Sequence, residues 1–147
     1  MIDIAFYQLT FSSLEKTLPK LVEKVYESNQ RSVVILDSQE RIEALNSSLW
    51  TYSPSSFLPH GCSQDKPENQ PIWLTSHFEN PNQSEVVIIT TGETLPFANN
   101  FKKALDIFEG QDKETLENAQ MRYKYYQNNQ YNCIYWRQNL KGQWEKA

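Results

Sequence analysis

Apolar residues in this chain fall into two kinds of run, unbroken β-branched stretches and stripes spaced three or four apart, and the two kinds alternate. Residues 2–8 (IDIAFYQ) are rich in strand formers and predict an opening strand. Leu14, Leu18, Leu21, Val22 and Val25 then recur at helical spacing. Pro19 has no amide hydrogen and fits best in a first turn, so this helix is expected to begin, or begin again, near Thr17 and to end around 28–30. Residues 32–36 (SVVIL) follow without a polar interruption beyond Ser32. Such a run implies a strand covered on both faces, as in a parallel sheet. Asp37 then predicts a helix start, capping while Glu40 reaches back. Ile42, Leu45 and Leu49 form the buried stripe of that second helix, and Trp50 closes it.

The second half repeats the alternation. A polar loop over 63–70 leads to a short strand at 71–75, and a turn-rich link over 77–84 leads to the β-branched run EVVIITT at 85–91. A third helix is expected over 97–108, with Phe97, Phe101, Ala104, Leu105 and Phe108 on one face and Gly110 ending it in a left-handed conformation. A fourth helix fits 112–128, its stripe being Leu116, Ala119, Tyr123 and Tyr126, and a last strand fits 131–136. The remaining tail is polar apart from Leu140 and Trp144. No repeat or linker divides the chain. The prediction is one domain over 1–147, an α/β sandwich of three layers with a predominantly parallel sheet and helices on both faces.

One stretch breaks the pattern. Over 45–61 (LNSSLWTYSPSSFLPHG) prolines, serines and a glycine end the helix, yet Trp50, Tyr52, Phe57 and Leu58 are large and apolar. Either the domain core or a partner must cover such rings. Leu58 and Pro59 read as anchors of the loop, Trp50 and Phe57 as rings left outside, and the four together as the candidate surface for a partner.

Charge narrows the functional classes. Eighteen acidic residues against 14 basic ones, well mixed and netting −4, make no field able to hold nucleic acid by its phosphates, so any nucleic-acid contact is expected to be indirect. No apolar run approaches a membrane span and the N-terminus carries no export signal, so no membrane role is expected. Two distant cysteines, Cys62 and Cys133, outside any ligand cluster suggest a reducing, cytoplasmic setting without a metal.

Catalytic apparatus is hard to find. Asp37, just past the second strand, occupies the position of a ribose-binding acid, but the first loop, Gln8 to Ser13, has no glycine to admit a pyrophosphate, and the whole chain has four glycines. Asp37 is therefore read as a helix cap. No nucleophile elbow is present, and His60 and His77 lie in turn-rich segments. His60 with Cys62 makes an H-x-C pair, too few ligands for a closed zinc site. The simpler reading of His60 is a loop imidazole bonded to a backbone carbonyl. No cofactor is implied. A small nucleotide-binding or hydrolytic enzyme, and a directly DNA-binding domain, remain as rival classes.

The fourth helix offers surface chemistry instead. Residues 121–126 (MRYKYY) interleave two cations with three tyrosines, and helical spacing brings Gln120, Lys124 and Gln127 together beside Tyr123. A solvated amphipathic helix has the same look. The functional alternative is a cationic and aromatic pocket for an acidic peptide, with Arg122 nearby and Phe108 as its apolar floor.

Taken together, these features resemble the chi subunit family of bacterial DNA polymerase III. The likeness rests on Ala5, Phe6, Tyr7; on Leu49, Trp50 followed by Ser56, Phe57, Leu58, Pro59, His60; on Pro71 and Trp73; and on Arg122, Tyr123, Lys124 and Trp144. The resemblance implies a Rossmann-like domain without a nucleotide site and a non-catalytic adaptor of the clamp-loader assembly. It implies that Lys124 and Tyr123 take the acidic C-terminal tail of single-stranded DNA-binding protein, and that Trp50 and Phe57 meet the psi subunit or a substitute such as a helicase. Gln120 and Gln127 stand where the family often has basic residues, which turns attention to Arg122 and Arg137 as replacements.

Overall fold

The computed structural model describes residues 2–51, 58–62, 65–96 and 101–147. Within them run β1 (Asp3–Leu9), α1 (Leu14–Glu27), β2 (Ser32–Ile35), α2 (Gln39–Thr51), β3 (Ile72–Thr75), β4 (Val86–Ile89), β5 (Lys103–Glu109), α3 (Lys113–Asn128), β6 (Asn132–Gln138) and β7 (Trp144–Lys146). The strands form one sheet in the order β3-β2-β4-β5-β1-β6-β7, parallel except for the antiparallel β6–β7 pair. Side chains alternate across a strand. Accordingly Val34, Ile88, Leu105 and Ile107 meet α1 and α2 on one face, while Val33, Phe6, Ala104 and Phe108 meet α3 on the other. This is the mixed α/β arrangement, mostly parallel with helices on both faces, that the alternating runs predict.

Two helix starts differ from expectation. α1 begins at Leu14, where Ser13 accepts from the Lys16 amide, and so Pro19 lies inside the helix rather than in its first turn. Leu14 and Leu18 are both buried in the core, which holds the earlier turn in place despite the proline. At α2 the hydroxyl accepting from the Arg41 amide at 3.2 Å belongs to Ser38, while Asp37 forms an ion pair with the Arg41 side chain at 3.2 Å. The cap is therefore one residue later than the pattern suggests.

The larger correction is β5. Residues expected to end a third helix form a central strand between β4 and β1; Phe97 lies outside the described residues. Ala104 and Phe108 are four apart, a spacing that puts two residues on one face of either a helix or a strand. Leu105, adjacent to Ala104, decides between them, for it packs on the opposite side of the sheet. Gly110 does not adopt a left-handed conformation. It is small because a Cβ there would stand 2.6 Å from the Gln8 side chain.

The polar tail also folds. The amides of Lys141 and Gln143 both donate to Asn139 Oδ1 at 2.9 Å, and Gly142, at φ +80°, turns the chain back. Trp144 then lies edge-on to Tyr7, ring centres 5.2 Å apart. Buried Gln138 ties this hairpin to the β1–α1 loop. Its Oε1 accepts from the amides of Thr10, Phe11 and Ser12 at 3.3, 2.9 and 2.9 Å, and its Nε2 donates to Ser12 Oγ at 3.0 Å. Beside it, Glu109 accepts from the Leu14 amide at 3.3 Å.

Gln138→Ala strips the common acceptor from three part-buried amides. Urea unfolding is expected to show a loss of about 2–3 kcal/mol.

Candidate functional site

α3 starts where Asp112 accepts from the amide and hydroxyl of Thr115, at 3.1 and 3.0 Å. Its inward residues are Ala119, Arg122 and Tyr126, three and four apart. Tyr126 is fully buried and its hydroxyl accepts from the Leu95 amide at 2.7 Å; burial, the largest cause, pushes its pKa up to about 12. Arg122 is only 6% exposed and forks onto Asp106 of β5, Nε and Nη2 donating to the two carboxylate oxygens at 2.8 and 3.0 Å. Burial pushes the Asp106 carboxyl above its ordinary range against the pull of that guanidinium. The guanidinium carbon also lies 5.8 Å from the ring centres of Phe6 and Phe108.

Phe6 is the hub of an aromatic tier. Its ring centre lies 5.2 Å from Tyr123, 5.9 Å from Tyr126, 5.9 Å from stacked Tyr135 and 6.3 Å from Phe108. Tyr123 and Tyr135 are themselves 5.4 Å apart at the rim, both half-buried, and Tyr135 donates to Gln8. Burial raises the pKa of each. Lys124, Gln120 and Gln127 are exposed on the outer side of the same helix. Arg137, also exposed, is two residues from Tyr135 on β6 and so shares its face of the sheet.

This geometry divides the expected pocket. Tyr123, Lys124, Gln120 and Gln127 come together at one flank of α3. Arg122 does not join them, because its charge is buried on Asp106; Phe108, 6% exposed, lies a layer below, behind Phe6 and Tyr135. Tyr135, absent from the expected set, stands against Tyr123 at this flank. Its signal was the alternation of β6, which puts residues 133, 135 and 137 on the α3 side.

Around the second stretch, Trp50 is 59% exposed and meets His60 edge-on with ring centres 5.3 Å apart. His60 is buried, Nδ1 donating to the Leu58 carbonyl at 2.6 Å and Nε2 lying 2.8 Å from Asn46 Oδ1. This is the turn-fixing role expected of it. Leu58, 2% exposed, belongs to the core beneath α1 and α2; that corrects its assignment to a partner surface and agrees with its reading as an anchor. Pro59 is half-buried, and Phe57 lies outside the described residues.

The carboxyl edge of the sheet bears on nucleotide binding. In nucleotide-binding α/β folds the amides after β1 and at the start of α1 receive phosphate. Here Gln138 engages the Thr10, Phe11 and Ser12 amides and the Glu109 carboxylate engages Leu14. A phosphate would have to displace both. Among the described residues no group of three or more His, Cys, Asp or Glu is placed to hold a metal.

Comparison with known proteins identifies the family. The family model "DNA polymerase III chi subunit, HolC" matches residues 1–133. The "Probable DNA polymerase III subunit chi" of Rickettsia prowazekii (strain Madrid E) is 33% identical over 110 residues, 74% of this chain and 67% of that protein. The chain belongs to the DNA polymerase III chi subunit family. Chi subunits are accessory parts of a replicative polymerase, which places this chain among replication proteins with partners in that complex. The chi match takes in β1–β5 and all three helices and ends at Cys133, so most of β6, the β7 hairpin and the Gln138 tie lie beyond it.

Two outcomes test this packing. Asp106→Leu leaves the guanidinium buried without a partner and is expected to cost about 3–5 kcal/mol, whereas adding Arg122→Met recovers much of that loss. For Tyr126, an unfolded tyrosine ionises near 10 while the folded one holds its proton to about 12. Stability therefore falls as pH rises through that window. Tyr126→Phe is expected to start lower, having lost the acceptor for Leu95, but to decline less steeply in urea unfolding between about pH 9 and about pH 11.

Proposed function

We propose that this chain is a non-catalytic adaptor of the DNA polymerase III clamp-loader assembly that works in the cytoplasm and takes the acidic C-terminal tail of single-stranded DNA-binding protein on α3. The observation carrying this reading is the exposed Lys124 set beside the half-buried pair Tyr123 and Tyr135. A lysine in water pairs with the tail carboxylates while the tyrosine rims receive the terminal phenylalanine ring. Gln120 and Gln127 hydrogen-bond rather than neutralise, so the second cation of the site is Arg137, not Arg122. Contact with DNA is then made through the tail-bearing partner.

Trp50, with Phe57 and Pro59 following it in the sequence, serves a second partner, the psi subunit or a substitute such as a helicase. An indole that is more than half exposed at the end of a helix supports this, since such rings anchor interfaces. The two surfaces lie on opposite faces of the sheet, α2 on one and α3 on the other. One chain can therefore hold both partners at once.

A fluorescent acidic peptide ending in Asp-Phe, titrated against wild type and Lys124→Ala, tests the tail site. The substitution is expected to weaken binding about tenfold, and added salt to weaken the wild type further. Equal affinity for the two proteins removes Lys124 from the site.

A further inference from the structure

β1 and β5 are neighbours in the sheet, yet α1 leaves β1 on one face and α3 leaves β5 on the other. Strands whose connections part in this way open a crevice at their carboxyl ends, the usual place for a ligand in an open α/β sheet. Here that crevice is a hollow of about 290 Å³. Thr91, Gly92, Phe108, Asn118, Arg122 and Arg41 line it. It is separate from both surfaces described above.

Unused hydrogen-bonding capacity gathers there. Arg122 commits Nε and Nη2 to Asp106, while Nη1 makes no hydrogen bond among the described residues and lies 3.6 Å from where a Cβ on Gly92 would be. Thr91 Oγ1 is buried without a hydrogen-bond partner, an uncommon state for a hydroxyl. Asn118 adds a carboxamide that makes no hydrogen bond among the described residues.

Charge decides what the crevice accepts. Arg41 is held by Asp37 at 3.2 Å and Glu15 at 3.8 Å, Arg122 by Asp106, and Glu109 contributes a further carboxylate. Both guanidiniums are neutralised and the surroundings are acidic overall, so an anion is repelled. The phosphate positions next to the crevice are closed by Gln138 and Glu109. The free groups are a donor on Arg122 and two groups able both to donate and to accept, the exposed Asn118 carboxamide and the Thr91 hydroxyl, which is buried as it stands and reaches a ligand by turning about χ1. They match a ligand with carbonyl oxygens next to an N–H.

We propose that this crevice is a binding site for a small, uncharged cyclic amide of nucleobase size, recognised without a phosphate. The volume lies at the lower end of ligand pockets, which suits a single ring, and Phe108 supplies an apolar wall. The proposal is independent of the tail-binding reading.

Uracil is the probe. Titrated into ¹⁵N-labelled full chain, it is expected to give saturable amide shifts at Thr91, Gly92 and Asn118 with a Kd on the order of 1 mM, in keeping with a ligand this small. Thr91→Val removes a hydroxyl that bonds nothing in the chain and keeps the shape, so the variant is expected to fold at least as stably as wild type. Thr91→Val and Asn118→Ala are each expected to weaken uracil binding about fivefold. The proposal is overturned if uracil gives no saturable shift at these amides, if both variants bind it as wild type does, or if acetate or inorganic phosphate produces the same shifts at lower concentration.

Discussion

The ion pair between Arg122 and Asp106 is the interaction on which the α3 side of this molecule depends. Burying a guanidinium and a carboxylate costs several kcal/mol of hydration, which only a close, forked geometry offsets. The fork therefore fixes the rotation of α3 on the sheet: turning the helix by one residue would strand both charges. With Arg122 inward, Tyr126 falls into the core, Tyr123 comes to the rim against Phe6 and Tyr135, and Lys124 faces water. The same pair leaves Nη1 at the floor of the carboxyl-edge crevice. One buried interaction thus orients both the proposed peptide face and the proposed small-ligand site.

A second constraint acts at the first loop. Backbone amides that point out of a β–α turn need acceptors, and where other α/β proteins supply a phosphate this chain supplies its own side chains, Gln138 and Glu109. The arrangement gives the fold's usual nucleotide position a structural use. It also explains why the loop needs no glycine, since a side-chain amide reaches the nest without the close backbone approach that a pyrophosphate demands. Gln138 arrives from β6, beyond the residues that the family model matches.

Much of the architecture could be read from residue order because β2 and β4 are unbroken β-branched runs and the stripes of α1 and α3 keep helical spacing. The failures have specific causes. Ala104 and Phe108 satisfy both helical and strand periods, and β5 was misread on that coincidence. Arg122 was misread in turn, for its partner Asp106 lay in a stretch expected to be helical, and a cation beside Lys124 then looked like surface. The β7 hairpin is built from Asn139, Gln138 and Gly142 rather than from apolar periodicity, so hydropathy carried little trace of it. The features of Trp50, His60 and Leu58 were legible because prolines, a histidine and large rings so close together leave few ways to satisfy all of them.

The central claim is that the flank of α3 bordered by Tyr123, Lys124 and Tyr135 is where the acidic tail docks. Its most direct test is a map of amide chemical-shift changes on the ¹⁵N-labelled chain as an acidic peptide ending in Asp-Phe is added. The account predicts that the largest changes cluster at 120–127 and 133–137, with Trp50 and its neighbours unmoved. Changes centred instead on the α2 end around Trp50, or spread evenly over the surface, would contradict it.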